Sequence, residues 1–84
     1  SESDVLRALR ATTDRVFRVP GLDIAMDLGS AKVLNVVLLG ALSELLPVDA
    51  GIWEDVLAER VPRPFIELNL NAFHTGRTWI GERT

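Results

Sequence analysis

From Ala31 to Leu46 the chain reads AKVLNVVLLGALSELL, and apolar side chains give way only at Lys32, Asn35, Gly40, Ser43 and Glu44. Those sixteen residues would form a helix roughly 24 Å long. A bilayer span needs ~20 apolar residues, so the pattern predicts a buried core helix instead. Gly29 is suited to end a preceding helix in the left-handed conformation and Ser30 to cap the new one. Pro47 stops it, because its ring fixes φ and removes a donor. A helix apolar on almost every side needs cover on almost every side, from this chain or from outside it.

The flanking patterns are shorter. Ser3 is a candidate cap, with Asp4 in the first turn and Val5, Ala8 and Leu9 at helical spacing; this helix is expected to weaken at Thr12-Thr13-Asp14. Val16–Val19, β-branched and aromatic before Pro20-Gly21, reads as a short strand. A lone strand needs a partner for its backbone, and no second strand is legible. That predicts an incomplete sequence or pairing with another copy, and the absence of an initial Met agrees. Leu22–Leu28 reads as a short helix. After Pro47, Asp49 is the cap of another, with Ile52, Trp53, Val56 and Leu57 as its apolar stripe. Pro64 suits the first position of a last helix over Phe65–Thr75, with Gly76 as its terminating glycine. The tail Arg77–Thr84 then leaves Trp79 and Ile80 with little to bury them. The fold class expected is mainly α, about five helices and one short strand, the whole of 1–84 being a single partial domain.

Composition sharpens this. The chain is 48% hydrophobic and 25% charged, which is rich for 84 residues that can bury only ~60–65% of their unfolded surface. Either the core is dense or some apolar surface belongs to an interface. A net charge of −3 argues against general polyanion binding, so no nucleic-acid partner is expected. With no cysteine there is no disulfide framework, thiolate zinc site or iron–sulfur ligand set. The acidic start, Ser1-Glu2-Ser3-Asp4, is not a signal or transit peptide. A cytoplasmic protein with no membrane partner is the expectation.

Little in the sequence carries chemistry. Asn35 lies on the apolar helix and needs partners if buried, from a loop, another helix or a ligand. Gly40, five residues on, fits close approach of a neighbouring element better than a void. His74 is the only histidine and has no second ligand at helical spacing, so it reads as a cation near a helix end. Arg7, Arg10, Arg15 and Arg18 could share an anion-binding face, but Asp4 and Asp14 are interleaved and a solvated edge is the simpler account. Asp23 and Asp27, four apart, have no nucleophile or metal partner nearby and read as a wet face. No glycine-rich phosphate loop, catalytic triad order or C-x-x-C is present, so neither a catalytic nor a metal residue is assigned.

The run from Ala25 to Leu42 follows A-x-x-L-G-[NS]-x-[KR]-x-x-N-x-x-x-L-G-A-L. It resembles the C-terminal half of the gamma module of 2-oxoacid:acceptor oxidoreductases. The stretch FIELNLNAFHTG, through Glu67, Asn69, Ala72, Phe73 and Gly76, resembles the E-x-N-x-x-A-F-x-x-G ending of the indolepyruvate type, most like its beta subunit. The likeness spans Val16 to about Arg77. It implies the C-terminal half of a Rossmann-like α/β domain whose sheet would cover the core helix and pair the strand. It also implies an enzyme that decarboxylates a 2-oxoacid oxidatively to an acyl-CoA. Thiamine diphosphate, iron–sulfur clusters and coenzyme A would belong to the full complex, with ferredoxin and other subunits as partners, and none would be bound by this stretch. Gly29, Ser30, Asn35, Gly40, Asn69, Trp79 and Ile80 are the structural or interface candidates. As a fragment it should be catalytically silent and a homo-oligomer. The rivals are an autonomous helical dimerisation module and, weakly, a helical DNA-binding domain.

Overall fold

A computed structural model describes residues 2–83; Ser1 of the acidic start and Thr84 of the tail lie outside the described residues. The chain is helical from end to end: α1 is Glu2–Phe17, α2 Gly21–Asp27, α3 Leu34–Leu45, α4 Ala50–Arg60 and α5 Ile66–Gly81. Short 3₁₀ turns at Ala31–Val33 and Arg63–Phe65 lead into α3 and α5.

No strand is present among the described residues, which overturns the expected strand at Val16–Val19 and the α/β half-domain built around it. The physical reason is local. Thr13 does not end the first helix, because its hydroxyl donates to the Leu9 carbonyl at 2.8 Å and the helix runs on through Val16 and Phe17. The Arg18 N–H then bonds the Asp14 carbonyl at 3.1 Å, and the Val19 N–H bonds Val16 at 3.1 Å. Each backbone donor finds a partner one turn back, where an isolated strand would have had none. Ser3 lies inside α1 and is not its cap.

The joint between α2 and α3 is a complete left-handed stop. Gly29 has φ of 107°, its N–H bonds the Met26 carbonyl, and the Ser30 N–H bonds Ala25, both at 3.0 Å. The Ser30 hydroxyl accepts from the Lys32 N–H at 3.2 Å, capping the 3₁₀ turn. Asp49 caps α4 by accepting from the Gly51 N–H at 2.6 Å.

The core lies between α3 and α5. Val37 and Ala41 of α3, Ala72 and Ile80 of α5, with Val19, Ala25 and Val33, form one buried cluster. Helix α5 does not stop at Gly76 but runs one turn further, through the segment expected to be an unstructured tail. Gly76 lies inside the helix at a point where only glycine fits, since a Cβ there would collide with the Val37 carbonyl oxygen. Reciprocally, a Cβ on Gly40 would collide with the Phe73 carbonyl. The two backbones touch, and the continued helix carries Ile80, 3% exposed, into the core cluster.

Helix α1 behaves otherwise. Residues 2–11 are all exposed, and only near Thr12, Arg15 and Val16 does the helix meet the body. The chain is therefore elongated, 45 × 25 × 19 Å, with a radius of gyration of 13.3 Å against about 12 Å for a compact chain of this length.

Candidate functional site

A polar network reaches the interior at the C-terminal end of α3. Ser43 is 1% exposed. Its hydroxyl donates to the Gly40 carbonyl at 2.7 Å and accepts from Arg77 Nη1 at 3.0 Å. Arg77 Nη2 reaches the Glu44 carboxylate at 2.7 Å, and its guanidinium lies 6.0 Å from the centre of the Phe73 ring. Phe73 is fully buried, with Trp53 6.5 Å away and the edge of His74 at 5.6 Å. The Trp53 indole N–H is buried with no partner among the described residues.

This arrangement clamps two helices together. Ser43 has its proton committed to a carbonyl and accepts from an arginine, and no base among the described residues is bonded to it. The imidazole of His74 pairs loosely with Glu54 at 3.6 Å, both groups well exposed. Among the described residues, no group of three or more histidine, aspartate or glutamate side chains is placed to hold a metal ion. The chain has no cysteine to ligate an iron–sulfur cluster, and its described residues hold no carboxylate cluster to bind a diphosphate through a divalent cation. These residues do not fit either group.

The sequence candidates scatter. Gly29 and Ser30 form the joint already described, and a Cβ on Gly29 would meet open space. Asn35 is exposed on α3, so water satisfies its amide and no buried tie is required. Gly40 lies in the helix crossing. Asn69 donates to the carbonyl of Phe65, the residue preceding α5, at 2.8 Å. Trp79 is half-buried beneath Arg83, whose guanidinium stacks 3.9 Å from the ring centre. Neither Trp79 nor Ile80 is the uncovered surface expected of them. Asn69 and Ser30 do share one cleft of about 510 Å³, with Lys32, Arg60 and Phe65 along its walls. Sequence reasoning missed Ser43, Glu44 and Arg77. The available signal was Gly76 four residues after Ala72, a glycine inside a helical pattern that calls for a packing reason.

A family model described as pyruvate ferredoxin/flavodoxin oxidoreductase matches residues 2–79. The chain belongs to that family. Neither the curated proteins nor the solved structures gave a match. Membership of the pyruvate ferredoxin/flavodoxin oxidoreductase family makes the chain part of a 2-oxoacid-oxidising enzyme, with the other subunits or domains of that enzyme as its partners. No helix among the described residues is long and apolar enough to cross a membrane. Three residues of the sequence ending, Ala72, Phe73 and Gly76, are also the buried residues of α5 that pack toward α3. Those three residues of the ending therefore encode a helix crossing, while its Asn69 faces the cleft shared with Ser30.

Proposed function

We propose that this chain is a non-catalytic assembly part of a 2-oxoacid oxidoreductase, of the indolepyruvate kind, and that it docks other subunits through apolar helix faces. One observation carries this reading. Val5, Leu6 and Leu9 on α1, Leu22 and Met26 on α2, and Ile52 on α4 are large apolar side chains each 53–59% exposed, and no catalytic constellation is seen among the described residues. Exposed apolar surface on this scale marks an interaction site. The chain then works as one part of a longer domain, and thiamine diphosphate, iron–sulfur clusters, coenzyme A and ferredoxin are handled by the rest of the enzyme. Alone, the same faces drive the chain to self-associate. The indolepyruvate assignment is supported by Glu67, Asn69, Ala72, Phe73 and Gly76 in the E-x-N-x-x-A-F-x-x-G pattern.

The test is to purify the enzyme through a tag on this chain and assay coenzyme A-dependent oxidation of indolepyruvate and of pyruvate with a ferredoxin acceptor. Faster turnover of indolepyruvate is expected. Replacing Val5 and Leu9 by Gln should reduce the amount of complex recovered and leave turnover per assembled complex unchanged. Turnover of pyruvate alone would overturn the substrate, and full recovery of the double variant would overturn the docking role.

A further inference from the structure

Five residues line a small cleft, about 180 Å³, where the C-terminal ends of α1 and α5 come together: Arg15, Arg18, Trp79, Ile80 and Arg83. Three of the chain's nine basic residues face one cleft in a molecule of net charge −3. We propose that Arg15, Arg18 and Arg83 form a binding site for a phosphoryl anion, either inorganic phosphate or the phosphate group of a larger molecule.

The cleft has a fixed floor. Ile80 is buried in the core and Trp79 packs against it. Arg83 is held over the Trp79 ring at 3.9 Å, and its Nη1 donates to the Trp79 carbonyl at 2.8 Å. The remaining guanidinium donors of Arg83 are left for other acceptors; Glu82 sits 3.8 Å from the same Nη1, too far for a strong charged hydrogen bond. The side chains of Arg15 and Arg18 have no ion pair or hydrogen bond among the described residues. Asp14, next to Arg15 in sequence, contributes its backbone carbonyl to Arg18 and not its carboxylate.

Helix polarity explains part of this. An arginine in the last turn of a helix offsets the partial negative charge there, a favourable effect of about 0.3–1 kcal/mol. That accounts for Arg15 on α1 and for Arg83 beyond α5 taken separately. It does not account for three like charges facing the same small volume, which repel unless an anion lies between them. All three are arginines, whose planar forks suit the several oxygens of a tetrahedral oxyanion better than the point charge of lysine. Trp79 already carries Arg83 on its face, so no ring of a ligand is expected to stack there.

The test is titration of the 84-residue chain with inorganic phosphate and with pyrophosphate at low ionic strength, followed by amide and indole NMR signals. Shifts confined to residues near 15–18 and 79–83, the Trp79 indole among them and that of Trp53 unmoved, are expected. Arg15→Gln, Arg18→Gln and Arg83→Gln should each weaken binding about tenfold, as loss of a charged hydrogen bond does. Arg7→Gln makes the same change of net charge on exposed α1 and should leave binding unaltered; Lys32→Gln with Arg60→Gln should do the same. Arg83 follows the last helical residue, so its variant reports even where Arg15→Gln disturbs α1. Tighter binding of pyrophosphate than of phosphate would identify a diphosphate-bearing ligand, and equal binding a single phosphoryl group. No localised shift at millimolar pyrophosphate would overturn the site, as would equal weakening by Arg7→Gln.

Discussion

Helix α5 and the first ten residues of α1 are both amphipathic, and the protein uses them in opposite ways. In α5 the buried side sets small groups, Ala72 and Gly76, beside the large Phe73 and Ile80, and at Gly76 the backbone of α3 comes into contact with it. In α1 the apolar side carries Val5, Leu6 and Leu9, large side chains that are more than half exposed. Where glycines let two backbones meet, the chain packs on itself and covers its large side chains too. Along the start of α1 the large apolar side chains are left for something else. A 16-residue helix such as α1 is marginal in water when unsupported, so its free end holds its shape through propensity and through whatever docks on it.

The largest expected effects fall on the crossing. Phe73→Ala should lower stability by about 3–5 kcal/mol, because the ring is fully buried and its site cannot refill. Gly76→Ala should cost about 3 kcal/mol, since the new methyl meets a backbone carbonyl that no rotamer change can move aside. Chemical denaturation measures both. Gly81→Ala is the control: its Cβ would lie 3.7 Å from Glu44, an ordinary contact, so only the helix-propensity gain of under 1 kcal/mol remains. If Gly81→Ala destabilised the chain as much as Gly76→Ala, contact between the backbones would not be what distinguishes α5.

The clamp is intermediate. Arg77→Leu removes the partner of a buried hydroxyl and of a carboxylate, and a loss of about 1–2 kcal/mol is expected. A double-mutant cycle with Glu44→Gln should assign less than 1 kcal/mol of that to the ion pair itself, because both groups are partly solvated. The smallest effect belongs to α1. Val5→Gln with Leu9→Gln should change the stability of the free chain by no more than about 0.5 kcal/mol per site, while lowering its mass in sedimentation as self-association is lost. A stability loss matching Phe73→Ala would mean that α1 is covered after all.

Much of the fold was legible because its punctuation is chemical. Gly29, Ser30, Pro47 and Asp49 begin or end helices for reasons that act within four residues. Two failures share one cause. Val16–Val19 has strand propensity, and Gly76 looks like a helix stop, but in both places the outcome depends on what the segment meets in three dimensions. At Phe17 the helix simply continues, since its i−4 carbonyls are available. At Gly76 the missing side chain is used for contact with α3 instead of for conformational freedom. Of the candidate site residues, those tied to local geometry could be placed from sequence. Ser43 and Arg77, 34 positions apart, could not, because nothing in the pattern links them before the crossing exists.

The paired glycines also limit how the protein can change. A bulky residue in a core is often rescued by a second substitution that makes room opposite it. Here the obstacle facing each glycine is a main-chain carbonyl of the other helix, and no amino-acid exchange makes a carbonyl smaller. Suppressors of changes at Gly40 or Gly76 should therefore be absent from the facing positions Val37 and Phe73. In a saturation library, the two glycines should stand as solitary invariant columns with no covarying neighbours.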